Sequence, residues 1–309
     1  MPHDHLQTMD FAEARDTFCR PRTGPVVDPP ATTPARRLRD AIEPLAMVTV
    51  WGEPTAERAG TAGLDFLGAY VGGRGSALGD VEGGVVAAAF AVFEPGLVGG
   101  LWDQARATCS VADLRALREH AGTEALRTVL ADVDEAEIDA VVDLLRDGLA
   151  GADLMGRPLF AGSTALPWPQ HAHGRLWHVT SLLREHRGDA HVAACVAAGL
   201  DSIEANILTE LWVGFALLEY TATRGWPQEA MDAAIARLRE RGLVDGDALS
   251  ADGRRFRDGI EEATDRAQQP VVDALGNRLD RTVDALAGWS DAVVAHGWFP
   301  PDPYKRAAG

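Results

Sequence analysis

The stretch RGLVDGDALSADGRRFRDGIEEATDRA, residues 241–267, decides the fold of the C-terminal third of this chain. Gly242 is predicted to end the preceding helix, because glycine readily adopts the left-handed conformation that follows a helix. Two short apolar pairs then flank the sequence DGD at 245–247, which is a turn signal typical of a β-hairpin. Ser250 is a suitable N-cap for a long helix that runs to about Leu275. The stretch therefore predicts a helix, a tight hairpin and a second, long helix.

This order of elements is the layout of a winged helix. Residues from about 225 to 275 resemble the second half of MarR-type winged-helix domains, in which the pattern GLV…D…LS…GR marks the wing. The resemblance implies a winged-helix-like fold for this segment. It implies less about function, because one fold can serve unrelated activities.

The chain between residue 35 and the winged segment also carries the patterns of helices. Ser110 is predicted to cap a helix that stops at Gly122. Glu135–Leu149 places apolar residues at i, i+3, i+4 and i+7, the pattern of a buried helix face. Met47–Trp51 is a candidate strand, although the same apolar run also fits a helix. The sequence therefore predicts a mainly α protein, a helical bundle with a winged-helix-like C-terminal segment.

Three parts are expected: a flexible proline-rich arm at 1–34, one helical half at 35–160 and a second helical half at 161–309. Two stretches in the halves read alike, because an apolar helix ends in Arg-Gly at 74–75 and again at 187–188, and each is followed by Val-Ala-Ala. This similarity is either a duplication that makes two related halves or a chance match in an alanine-rich chain. A duplication would place a pocket where the halves meet.

Charge, hydropathy and cysteine usage exclude several classes of protein. The chain has 46 acidic and 29 basic residues and a net charge of −17, which disfavours nucleic acid as a partner of the whole surface, since phosphate binding needs clustered positive charge. Its longest uncharged apolar run, Val85–Phe93, has nine residues, and crossing a bilayer takes about 20. With no secretory signal and three widely spaced cysteines, we expect a cytoplasmic protein without a membrane segment.

Five of the nine histidines lie between His171 and His191, and this stretch is the leading candidate for chemistry. Imidazole titrates closest to neutral pH, so His178, His186 and His191 are the candidate catalytic acids and bases. Gly188 is expected to break the helix and to let the rings of His186 and His191 converge. The candidate substrate-binding residues add charged and aromatic groups to this corner: Arg184, Glu185, Arg187, Asp189, Trp177, Trp51 and Tyr70.

Two other interpretations of the histidine stretch stay open. The charged residues within 184–189 also suit a buried ion network that locks two helices, with His178 as a satisfied core histidine. A metal site is the second, but on one helix His178 and His186 would lie about 12 Å apart along the axis, whereas zinc–nitrogen bonds are about 2 Å long. A metal would need a ligand from elsewhere, so we expect neither a metal nor another cofactor.

The segments RRLRDAIEPL (36–45), GRPLFAGSTALPWP (156–169), LWHVTSLLREHRGDAHVAACVAAGLDSIEA (176–205) and the winged segment extended to Gly276 also resemble one family as a whole. It is a largely uncharacterised family of actinobacterial helical proteins that combine an LREHRGDGH-like motif with a MarR-like winged-helix part. Members often carry a His and a Tyr-Phe pair where this chain has Ala46 and Val50-Trp51. The resemblance transfers no activity, and the departure implies a changed site.

Three functions follow as hypotheses. The first is a cofactor-independent biosynthetic enzyme, a cyclase, isomerase or lyase that acts on a small, largely apolar specialised metabolite through histidine acid/base chemistry. The second is a MarR-like ligand-sensing transcription regulator or small-molecule binding protein, and the third is a metal-dependent enzyme. Glu229 and Asp232 at the start of the candidate recognition helix would repel phosphates. The winged helix is therefore interpreted as a structural or dimerisation module of a homodimer.

Overall fold

The structure is a computed structural model that describes residues 3–28 and 31–302 of the chain. The molecule is 72% helical, which confirms the predicted mainly α fold. Fifteen α-helices and one hairpin follow in chain order: α1 (His3–Gln7), α2 (Phe11–Phe18), α3 (Pro34–Trp51), α4 (Glu53–Ala62), α5 (Phe66–Gly75), α6 (Gly83–Phe90), α7 (Pro95–Thr108), α8 (Val111–Val129), α9 (Glu135–Leu149), α10 (Pro158–Thr164), α11 (Ala172–Ala197), α12 (Ser202–Trp212), α13 (Gln228–Glu240), β1 (Val244–Asp245), β2 (Ala248–Leu249), α14 (Ala251–Leu275) and α15 (Leu279–Ala295). Single 3-10 turns lie at Ser76–Leu78, Thr221–Arg224 and Gly276–Arg278.

Helix α11 lies at the centre of the bundle. It packs against α3, α8, α9, α10 and α14. Much of its surface is buried, including the polar residues Thr180 and Ser181. A helix that is buried on several sides shows little amphipathic periodicity. This is why its apolar and polar residues give no clear stripe in the sequence.

The predicted helix starts are confirmed where a side chain caps the backbone. Ser110 accepts a hydrogen bond from the backbone N–H of Asp113, and Ser250 accepts one from Gly253. Helix α9 has the predicted bounds and buries Ile138 on its apolar face. Each of these signals is local, so the sequence carries it without knowledge of the tertiary fold.

Three predictions about glycines and strands are resolved by the helix bounds. The break expected at Gly188 is wrong, because α11 continues through it to Ala197. The stop expected at Gly122 is wrong as well, because α8 continues to Val129. The run Met47–Trp51, which fitted a strand or a helix, forms the last turns of α3. A glycine inside a helix costs only about 1 kcal/mol relative to alanine, and packing readily outweighs that cost.

The winged segment has its own hydrophobic core. The hairpin pairs Val244 with Leu249 and Asp245 with Ala248, as the turn signal at 245–247 predicts. Apolar residues of α12, α13, β1 and α14 form one buried cluster, in which Ile207, Leu238 and Ile260 meet. Helices α12 and α13, the hairpin and α14 therefore form the helix-turn-helix and wing.

The N-terminal residues lie against the body of the molecule. Leu6 and Met9 are fully buried in the core around α5 and α7. Arg22 bonds to the backbone carbonyl of Val213 and to the carboxylate of Asp302, so this segment ties the end of α12 to the C-terminal end of the chain. Part of the expected flexible arm at 1–34 is therefore helical and packed, while Pro29 and Pro30 fall outside the described residues. The boundary near 160 and the duplication stay predictions.

Candidate functional site

A cavity of about 420 Å³ lies between the helical body and the winged segment. Helices α3, α5, α6 and α11 supply its walls from the body, and α12 and α14 supply them from the winged segment. Residues 17–20 of the N-terminal segment and Phe299-Pro300 complete the wall. This volume falls in the range of about 300–1,000 Å³ that small-molecule sites occupy.

Aromatic side chains form one wall of the cavity. The rings of Trp51 and Phe66 are 5.3 Å apart between centroids, and Phe18 stacks on Phe66 at 5.9 Å. Tyr70 makes an edge-to-face contact with Phe90 at 5.6 Å. Rings at these separations attract one another and hold fixed positions. The wall therefore offers a rigid aromatic surface to an apolar ligand.

One group of buried arginines meets the carboxylate of Glu261. Arg187 contacts Glu261 at 2.5 Å and Asp265 at 2.7 Å, while Arg36 and Arg257 contact Glu261 at 2.8 Å and 3.1 Å. These guanidiniums hold the pKa of Glu261 far below its usual range, despite a burial that acts the other way. The sequence reading of the Glu261 region as a solvated face is wrong for Glu261, which is only 8% exposed.

A second group of arginines surrounds the carboxylates of Glu43 and Glu185. Arg74 donates to Glu185 at 2.7 Å, and Arg184 lies 3.1 Å from Glu43 and 3.4 Å from Glu185. Although burial alone would raise it, these cations lower the pKa of Glu185 to about 2. The buried ion network considered for residues 184–189 is thus present, but most of its partners come from other helices.

Arg224 differs from the other arginines of the cavity. Its guanidinium lies over three rings, at 3.9 Å from the centroid of Tyr220, 4.7 Å from that of Phe93 and 5.8 Å from that of Phe18. Among the residues the structure describes, no carboxylate forms an ion pair with it, and its buried Nε has no hydrogen-bond partner. It carries a charge that only the ring faces and one hydroxyl, on Thr223, offset.

His191 is the one predicted catalytic histidine that lines the cavity. Its Nδ1 lies 3.1 Å from Oγ1 of Thr264, and this hydroxyl already donates to the carbonyl of Ile260. The hydroxyl must therefore accept from Nδ1–H, which leaves Nε2 to accept from the thiol of Cys195 at 3.6 Å. Burial lowers the pKa of His191 to about 3 and raises that of Cys195 to about 11. The pair is neutral at pH 7.

The other two histidines lie outside the cavity lining. His178 packs against Trp168, and burial lowers its pKa to about 4. His186 packs edge-to-face on Phe160, its Nδ1 lies 3.0 Å from Oε1 of Gln268, and burial lowers its pKa as well. Because α11 continues through Gly188, the rings of His186 and His191 are not brought together by a helix break.

The predicted substrate-binding residues divide in the same way. Arg184, Arg187, Trp51 and Tyr70 line the cavity. Glu185 lies behind it on Arg74, Asp189 accepts the backbone N–H of Phe160, and Trp177 packs under Arg118 at 5.2 Å. Burial raises the pKa of Asp189 to about 6.

Several cavity residues escaped the sequence analysis. Arg36, Arg39 and Glu43 follow one another along a single face of α3, which is otherwise an ordinary apolar helix. Charged residues at i, i+3 and i+7 inside an apolar stripe were the available signal, since buried charges need partners. Arg224 sits in a 3-10 turn with no periodicity, so nothing in the sequence marked it.

The exposed face of α13 carries mixed charge. Glu229 and Asp232 are exposed near its start, as expected. Arg237 pairs with Asp201 and Glu204, and Arg239 lies 3.4 Å from Asp247 in the wing. The arginines of this face are thus engaged within the molecule, so DNA would have to compete for them.

Metal and membrane features were also searched over residues 3–28 and 31–302. This part of the chain holds no group of three or more His, Cys, Asp or Glu side chains arranged to bind a metal. No single helix in it has the length and apolarity to span a bilayer. Helices α11 and α12 meet those criteria only when taken together, and they are bent by 109° relative to each other.

The comparisons with known proteins agree with the geometry of the winged segment. Neither a curated protein nor a solved structure matches the chain. The model of a helix-turn-helix family matches residues 35–300, which includes both the cavity and the winged segment. The chain therefore belongs to this helix-turn-helix family.

Proposed function

We propose that the protein is a ligand-sensing transcription regulator in which a small molecule in the cavity sets the position of the winged helix. The family membership favours a regulator, since helix-turn-helix domains typically place one helix in the major groove of DNA. In this chain α13 and the hairpin take the places of the recognition helix and the wing.

The shared wall of the cavity is the observation that carries this proposal. Thr209 of α12 and Arg257 of α14 line the cavity and lie 3.3 Å apart between Oγ1 and Nε. Arg257 also lies over the ring of Trp212, whose Nε1 donates to Asp258 at 2.7 Å. A ligand that contacts this wall acts on the two helices that support α13, so it has a direct route to different affinities in two states.

A mobility-shift assay with DNA fragments from around the protein's own gene tests the regulator. Specific retention that weakens as salt rises is expected, because each phosphate contact releases counterions. Arg239→Ala or Arg255→Ala should weaken retention several-fold, since both side chains are at least half-exposed or nearly so beside the wing. Arg266→Ala, exposed on the far part of α14, is the matched control and should leave retention unchanged. Absence of retention at 50 mM salt would contradict the proposal.

The charge of α13 favours a second candidate, a small-molecule binding protein or cofactor-independent enzyme that does not bind DNA. Glu229 and Asp232 oppose phosphate at the end of α13 that would enter the groove. For the enzyme, His191 is the histidine at the cavity, and as a neutral group it suits hydrogen bonding to a ligand better than proton donation. This candidate predicts ligand binding without DNA retention.

A further inference from the structure

The charges in the cavity wall are unequally satisfied. Eight arginines and four carboxylates line it. Every one of these carboxylates has a partner: Glu43 meets Arg184, Asp201 meets Arg237, Glu261 meets three arginines, and Glu219 accepts from the backbone of Thr23 and Ala216. Arg224 has no such anionic partner among the described residues. The wall therefore offers one cation that is free to bind an anion.

Arg224 also lies next to the aromatic wall. The ring of Phe93 beneath it is 6.1 Å from Tyr70, and the ring of Phe18 beneath it is 6.0 Å from Trp51. A molecule that lies on Trp51 and Tyr70 can thus reach the guanidinium with one end. Guanidinium groups bind carboxylate and sulfonate oxygens through two parallel N–H bonds.

We infer that the cavity binds an aromatic organic acid, whose acidic group is held by Arg224 and whose apolar body lies on the wall of Trp51, Phe66 and Tyr70. This inference deepens the proposed function by naming the ligand class. Arg224 ends the 3-10 turn Thr221–Arg224, and α13 begins at Gln228. A ligand bound to Arg224 therefore acts on the segment that leads directly into the recognition helix.

Two dyes that differ only in the acidic group test the ligand class. Anilinonaphthalene sulfonate carries a sulfonate, and N-phenyl-1-naphthylamine has the same rings without it. Both are titrated into the full chain by fluorescence, and the sulfonate is expected to bind at least tenfold more tightly. Arg224→Gln should weaken sulfonate binding about tenfold and change binding of the neutral dye less than twofold, since it removes the charge but leaves the aromatic wall.

Controls separate lost charge from lost structure. Arg224→Lys keeps the charge and should recover part of the sulfonate affinity, while the exposed Arg266→Gln should change neither dye. Near-ultraviolet circular dichroism must match the wild type, because the sulfonate dye also binds loosened cores. Equal affinity for the two dyes, equal loss of both in Arg224→Gln, or no binding of either would overturn the inference. DNA retention is measured separately, so the failure of one proposal is distinguishable from failure of the other.

Discussion

At the scale of the residue, Glu261 neutralises three guanidiniums in a buried site. Removing one member of such a group leaves a buried charge uncompensated, at a cost of about 3–5 kcal/mol. We expect Glu261→Gln to lower the free energy of unfolding by about 3 kcal/mol in urea at pH 7. Glu262→Gln, at an exposed neighbouring position, should change it by less than about 0.5 kcal/mol. Similar small effects for both variants would contradict the network.

The same carboxylate predicts a dependence on pH. The folded-state pKa of Glu261 lies below its ordinary value of 4.5, so the unfolded chain takes up the proton first as pH falls. Its stabilisation is therefore complete above about pH 5 and is lost as the solution becomes more acidic. Urea denaturation between pH 3 and pH 7 should show a smaller loss of stability on acidification in Glu261→Gln than in the wild type. Parallel curves would count against this assignment.

His191 gives a prediction that bears on catalysis. With a pKa of about 3 it should stay neutral and protonated on Nδ1 from pH 5 to pH 8. Nitrogen-15 spectra of the imidazoles should show this tautomer without titration, whereas the exposed His5 should titrate in the same samples. Titration of His191 near pH 6.5 would contradict the assignment and would strengthen the enzyme candidate.

At the scale of the element, local signals were sufficient and non-local contacts were not. The caps at Ser110 and Ser250 and the turn at 245–247 depend on neighbours in sequence, and each was predicted. The course of α11 through Gly188 depends on packing by other helices, and it was not. The candidate site shows the same limit, because Arg224 and the α3 residues come together with Arg184 only in the fold.

Two glycines inside helices test how packing decides such positions. A Cβ on Gly122 would lie 2.6 Å from the ring of Trp177, whereas a Cβ on Gly188 would meet nothing within 4 Å. We expect Gly122→Ala to destabilise the protein by about 1–3 kcal/mol through overpacking. Gly188→Ala should stabilise it by about 0.5–1 kcal/mol, because alanine favours the helix. Thermal melts of both variants check this pair, and the opposite order would contradict the packing of α8 on α11.

At the scale of the whole molecule, the cavity joins parts that are distant in sequence. Helices of the body, the winged segment, Phe18 of the N-terminal segment and Phe299 near the C-terminal end share its wall. A ligand there would fix these parts relative to one another, and binding that selects one arrangement stabilises it.

Hydrogen exchange tests this coupling. Saturation with anilinonaphthalene sulfonate should slow amide exchange at least twofold in residues 203–212 and 257–265, which flank the shared wall. Helix α9, which lies outside the cavity lining, serves as the internal control and should be unaffected. Protection confined to the aromatic wall, with α12 and α14 unchanged, would argue against transmission to the winged segment.

A crystal structure of the protein grown with anilinonaphthalene sulfonate tests the central claim most directly. The account predicts the rings on Trp51, Phe66 and Tyr70, the sulfonate within hydrogen-bond distance of Arg224, and contacts to Thr209 or Arg257 on the winged side. A dye bound only at the outer surface, with the cavity filled by side chains, would contradict it.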